Sequence, residues 1–260
     1  MQKPLNAAIL VVASLIGLAS FIYPFFLPQQ GSGLDAMAHT RDAPLVFVAL
    51  VILCLTAALN SLAGGLLNAK LIAVLGVLTA VNAVLRGVPG PGGFSLVLLL
   101  PILCGYALGP TFGFLLGVFS LAVSAFIGFG VGPWLPYQMF SAGWVGLLSG
   151  LLPRLERRPR AEALMLAAWG LVVGLAFGAL MNIWFWPYIL SSGPSGMYWQ
   201  PGLGVVETLR RYALFYTITS LWWDLIRAVG NLLLLLLLAA PVLRLLRRFQ
   251  QRFHFTVLPA

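Results

Sequence analysis

Five polar residues break an otherwise apolar stretch near the C-terminal end of the chain: Thr217, Ser220, Asp224, Arg227 and Asn231. Their spacing of three, four, three and four places them on one stripe of an α-helix. A charge held at the centre of a bilayer costs about 2.5–3.5 kcal/mol on insertion scales unless it is paired or faces a cavity. Asp224 and Arg227, at i and i+3, are spaced to pair with each other. Two roles are open to them. They form an internal ion pair that fixes helix packing, or they floor a polar pocket that couples a bound solute to movement.

Two further groups mix aromatic rings with amides. Trp134, Tyr137 and Gln138 follow a turn fixed by Gly130, Gly132, Pro133 and Pro136. Irregular backbone of this kind is tolerated at membrane depth only where it lines a cavity or is buried in protein. Here the three side chains offer a stacking face and an amide, although Trp134 also suits an interfacial aromatic belt. Asn182, Trp184, Trp186, Tyr198 and Trp199 flank a Gly/Pro/Ser loop that begins at Ser191. Belt residues, or a lid over a large flat ligand, are the two readings there; Asn182, one turn deeper, fits the belt poorly. A small-residue face at Gly76, Ala80 and Ala83 permits close approach of a helix, either from within the chain or from a partner.

What is missing narrows the chemistry further. The chain has six carboxylates and two histidines. Asp35, His39, Arg41 and Asp42 share one loop, where His39 reads as a solvated residue and not as a metal ligand. No His-Glu-x-x-His, nucleophile-elbow or Walker signature occurs, so neither hydrolytic catalysis nor self-powered transport is expected, and no metal or cofactor is implied. Cys54 and Cys104 lie inside apolar runs and read as small buried hydrophobes.

The elements that position these residues follow from composition. Hydrophobic residues make up 61% of the 260-residue chain and charged residues 8%, against about 25% charged in a soluble domain. A solvated surface cannot be built from so few charges, which excludes a soluble enzyme. Stretches near the 20 residues a spanning helix needs occur at 5–27, 44–66, 69–86, 94–109, 111–130, 137–153, 161–186 and 211–243. The expectation is an all-α polytopic membrane protein of about eight helices. The first is too long for a signal-peptide core and is read as retained.

Alternate threading puts ten cations on one side, among them Lys3, Lys70, Arg154 and Arg244, and four on the other: Arg41, Arg86, Arg210 and Arg211. The positive-inside rule then places both termini in the cytoplasm. It also turns the net charge of +9 into a topology signal, so that nucleic-acid binding is not expected.

The runs Leu108–Gly117, Gly132–Met139 with Gly143–Gly146, Met181–Trp186 and Ser220–Asn231 resemble the substrate-binding S component of energy-coupling factor (ECF) transporters. The resemblance covers roughly 67–260 and implies a six-helix binding core preceded by two extra helices at 1–66. It further implies a vitamin bound with high affinity at the outer half of the bundle and docking on a membrane coupling subunit with two cytoplasmic ATPases. Inward delivery is thought to proceed by toppling of the whole S component, in the cell membrane. Gly76, Ala80 and Ala83 match the family's Ala-x-x-x-Ala docking face in altered form. The substrate residues implied are Trp134, Tyr137, Gln138, Asn182, Trp184, Trp186, Tyr198, Trp199, Asp224, Arg227 and Asn231. The run Gly132–Met139 looks most like cobalamin-type members; riboflavin and thiamine are alternatives. A stand-alone carrier or channel using Asp224 and Arg227 as a relay is the competing class, disfavoured by the lack of an inverted repeat.

Overall fold

Apolar side chains with no water to meet leave the backbone to satisfy itself, and helices are the way one segment does so. The computed structural model describes residues 2–26, 39–63, 69–91, 94–189 and 196–253, and among these every regular element is helical. The helices are α1 (Gln2–Ile22), α2 (Ala43–Ala63), α3 (Ala69–Leu85), α4 (Leu99–Leu108), α5 (Pro110–Ser124), α6 (Leu135–Ser149), α7 (Pro159–Phe185), α8 (Val205–Thr219) and α9 (Leu221–Phe253). Five segments are long and apolar enough to cross a membrane: Leu5–Phe25, Ala43–Ala63, Pro110–Phe129, Pro159–Tyr188 and Leu221–Gln250. The expected spans around 69–86, 94–109 and 137–153 form shorter helices. Asp35 and the start of the Ser191 loop lie outside the described residues.

Local chemistry sets the breaks. Pro110, Pro136 and Pro159 stand in the first turns of α5, α6 and α7, where a missing N–H costs nothing. Gly109 separates α4 from α5 at φ +105°, a region closed to most side chains. The expected span 211–243 is corrected: the backbone leaves the helix at Ser220, with φ −131°. Residues 205–219 form the separate α8, and the long helix starts only at Leu221. The reason is polar. The Ser220 hydroxyl donates to Asn182 Oδ1 at 2.8 Å, and its carbonyl accepts the Asp224 N–H at 3.1 Å, so Ser220 caps a new helix. Thr217, an expected member of the stripe, lies on α8 and is exposed.

Packing is closest between α7 and α9 and between α5 and α6, with α4 wedged against α5, α6 and α9. Glycine permits this. A Cβ on Gly146 would lie 2.1 Å from the Gly113 carbonyl oxygen, so the backbones of α5 and α6 are in contact. The pair α1 and α2 leans on α6 and α5; Asn6 binds Ser61 at 2.5 Å and Asn60 at 2.6 Å between them. At the end of the bundle rich in arginine, buried Glu162 on α7 accepts from Arg247 of α9 at 3.0 and 2.6 Å and from Tyr106 of α4 at 2.7 Å. The candidate substrate residues gather at the opposite end, around His39.

Candidate functional site

Two guanidinium groups face one cavity of about 140 Å³ at the His39 end. Arg86, just past α3, and Arg227, in the second turn of α9, line it together with Ser95, Gln138 and Phe177. Arg86 donates to Ser124 Oγ at 2.7 Å and to Gln138 Oε1 at 2.9 Å. Both acceptors are neutral, and no carboxylate pairs with Arg86 among the described residues. Arg227 is compensated. It forms an ion pair with Asp224 and lies over the Phe177 ring at 5.6 Å. Asp224 itself is 3% exposed, in the first turn of α9 where the helix dipole favours a carboxylate. It packs against bare backbone, since a Cβ on Gly178 would lie 1.9 Å from its Oδ2. Polar Arg86, Ser95, Gln138 and Arg227 share the wall with apolar Val97, Leu98, Leu121 and Phe177, and of the two guanidiniums only that of Arg86 lacks a carboxylate partner among the described residues.

A second polar cluster roofs the same end. His39 has φ +59° and is 2% exposed. Its Nε2 donates to the Trp184 carbonyl at 3.1 Å, and its Nδ1 lies 2.9 Å from Asp42 Oδ2 and 2.6 Å from the Tyr137 hydroxyl. Tyr137 also donates to Asp42 Oδ2 at 2.5 Å, and the Tyr23 and Tyr188 hydroxyls meet at 3.3 Å. Burial raises the Asp42 carboxyl, but the bonds from His39 and Tyr137 outweigh it and hold the group below its ordinary range. The cluster joins residues that precede α2 to the first turn of α6 and the last turn of α7. His39, expected in solvent, is therefore a buried connector: its ring satisfies groups that would otherwise be orphaned.

The sequence-derived residues separate into three groups. Gln138 and Arg227 line the cavity, with Asp224 holding Arg227. Tyr137 and Trp184 belong to the roof; Tyr137 is fully buried and its hydroxyl is occupied. The others make contacts within the helices or to loops. Trp134 folds back over Gly132. Asn182 accepts from Ser220 and donates to the Gly178 carbonyl at 3.0 Å. Trp186 is buried, donates to the Met197 carbonyl at 3.1 Å and meets Tyr212 of α8. Trp199 meets Phe25 edge-on, and Tyr198 offers its carbonyl to Arg211. Asn231 donates to the Arg227 carbonyl while its Oδ1 is buried without a partner.

Arg86, Ser95 and Phe177 were not foreseen. Arg86 was counted only as a charge on the outer side. The available signal was Asn82, one turn earlier, which makes an i, i+4 polar pair on an apolar helix. Asn82 is fully buried and donates to Ser120 Oγ at 2.9 Å and the Val97 carbonyl at 3.0 Å.

On the small-residue face, Gly76 and Ala80 are exposed, and a Cβ on Gly76 meets nothing within 4 Å. Ala83 is corrected: it is fully buried and points away from that face, which passes through Ala73, Gly76, Ala80 and Val84.

Together these features make a helical membrane bundle with an arginine-lined cavity near one end. Its sequence agrees with that class. The model of the family "ECF transporter, substrate-specific component" matches residues 70–239, and the chain belongs to this family. It is thus a substrate-binding component of an ECF importer, embedded in a membrane. The match begins in the first turn of α3 and leaves α1 and α2 outside it. No curated protein and no solved structure matches the chain.

Proposed function

We propose that the protein captures a micronutrient carrying a negatively charged group, bound at the outer end of the core by Arg86, Gln138 and Arg227. One observation carries the reading: Arg86 faces the cavity with only neutral partners. A half-buried guanidinium without a carboxylate partner gains from a counter-charge, and the ligand supplies it. Among the described residues, the cavity's lining contains no carboxylate. That gives a proton relay through Asp224 no second station and leaves the stand-alone carrier without support.

The cavity is small beside the roughly 300–1,000 Å³ of a typical ligand pocket. It takes the charged group or a single ring, and a larger ligand needs the roof of Tyr23, His39, Tyr137 and Trp184 to part. The corrinoid implied by the motif resemblance carries one phosphodiester and belongs to this second case. Delivery then follows the family's scheme: both termini cytoplasmic, the exposed Gly76/Ala80 face of α3 on the coupling subunit, and two ATPases beneath.

The test is mass spectrometry of what co-purifies with the full chain in mild detergent, followed by titration of that compound into wild type and Arg86→Ala. An anionic vitamin bound by wild type and weakened in the variant is the expected result. A neutral ligand indifferent to Arg86 overturns the charge reading, and a small vitamin in place of a corrinoid removes the corrinoid.

A further inference from the structure

At the arginine-rich end, far from the cavity, two recesses share one wall. The first, about 320 Å³, is an apolar groove between α3 and α9, lined by Leu71, Ala73 and Leu78 on one side and Leu245 and Phe249 on the other. The second, about 450 Å³, opens on the other flank of Leu245 among Arg244, Arg247 and Arg248. Arg247 is already engaged, because Glu162 binds its guanidinium and Glu156 stands 3.8 Å away. Arg244 and Arg248, one turn apart, are exposed and pair with no carboxylate among the described residues. The Glu162 bond also fixes the third side of the arginine recess.

We propose that the two recesses form one site for an anionic phospholipid. The phosphodiester sits between Arg244 and Arg248, and one acyl chain lies in the groove of α3 and α9. Charge decides the occupant. A zwitterionic lipid fills the groove but brings its own cation against two guanidiniums that pair with no carboxylate among the described residues. An apolar helix from a partner fills the groove and leaves the arginines without counter-charge. An anionic headgroup on an acyl chain satisfies both recesses in one molecule, and basic pockets at helix ends are sites of this kind. The groove reaches Ala73 and Val77, beside exposed Gly76, so the bound lipid borders the small-residue face.

The experiment titrates delipidated full-length protein with phosphatidylglycerol or phosphatidylcholine and counts bound lipid by native mass spectrometry. Three proteins are compared: wild type, the double variant Arg244→Gln/Arg248→Gln, and Ala73→Phe, which fills the groove. Wild type is expected to prefer phosphatidylglycerol, with each arginine contributing about five-fold. The double variant loses the preference, and Ala73→Phe weakens both lipids while the variants elute as wild type does.

Equal binding of the two lipids by wild type overturns the proposal. So does displacement of all bound phosphatidylglycerol by millimolar inorganic phosphate with Ala73→Phe unchanged, which makes the recess a phosphate site. Loss of the coupling subunit on co-expression of the double variant, with the lipid preference intact, makes it a protein-docking surface and overturns the proposal equally.

Discussion

Arg86 and Gln138, 52 residues apart, meet at 2.9 Å across the wall of the only cavity that both share with Arg227 among the described recesses. The bond orients both groups. The guanidinium fixes which way the Gln138 amide points, leaving its N–H₂ free to donate, while Ser124 holds the other arm of Arg86. Replacing either residue therefore disturbs the other. Arg86→Ala is expected to weaken the co-purifying ligand about ten- to hundredfold, the scale of a charge-assisted bond in a desolvated site. Gln138→Ala is expected to cost less. Calorimetric titration of both single variants and the double variant measures the coupling, and strict additivity sinks the shared-site reading.

Asn182 was expected to touch substrate, and its contacts give it another task. Its amide spans the Gly178 carbonyl and the Ser220 hydroxyl, holding α7 against the break between α8 and α9. Asn182→Ala is expected to lower stability by about 1 kcal/mol, the net value of a buried hydrogen bond. Ligand affinity should change far less than in Arg86→Ala. A binding loss as large as that of Arg86→Ala, with thermal unfolding unchanged, returns Asn182 to the ligand.

Asp42 supplies a pH signature for the roof. Its folded-state value lies below the ordinary 3.8 because His39 and Tyr137 bind the charged form. Its stabilising contribution is therefore complete above the unfolded value and is lost as pH falls through the folded one. Unfolding followed by tryptophan fluorescence between about pH 5 and pH 3 should show a steeper acid loss in wild type than in Asp42→Asn. Parallel pH profiles in the two proteins would falsify the connector role.

The bundle itself was readable because its signal is compositional: apolar runs of spanning length, punctuated by Pro110, Pro136 and Pro159, decide element type without tertiary information. The site was only half readable. Asp224 and Arg227 announce themselves, since few charges survive in an apolar helix, and Gln138 follows a turn that marks a helix mouth. Arg86 and His39 were hidden for the opposite reason. Each sits at or beyond a helix end, where a polar residue is unremarkable by type, and only the packing of distant helices shows that His39 is buried and that Arg86 meets Ser124 and Gln138. The break at Ser220 was concealed by stripe geometry. The 3, 4, 3, 4 spacing is compatible with one continuous helix, and it took Asn182 on another helix to make the interruption favourable.

Ala80 and Ala83 separate two kinds of small residue that sequence treats alike. Both follow Gly76 at helical spacing, yet Ala80 is exposed on the outside of α3 and Ala83 is fully buried. Ala80 is exposed on α3, so Ala80→Leu should leave thermal stability and ligand binding intact while blocking a helix that must approach closely. At Ala83 the added volume has to be accommodated inside a packed core, where overpacking costs about 1–3 kcal/mol. Ala83→Leu should therefore unfold earlier, whether or not the coupling subunit is present. Co-purification with that subunit, alongside thermal unfolding of the isolated chain, distinguishes the two. If Ala80→Leu still assembles at wild-type level, the exposed face of α3 is a lipid-facing surface, and docking must be sought on another helix.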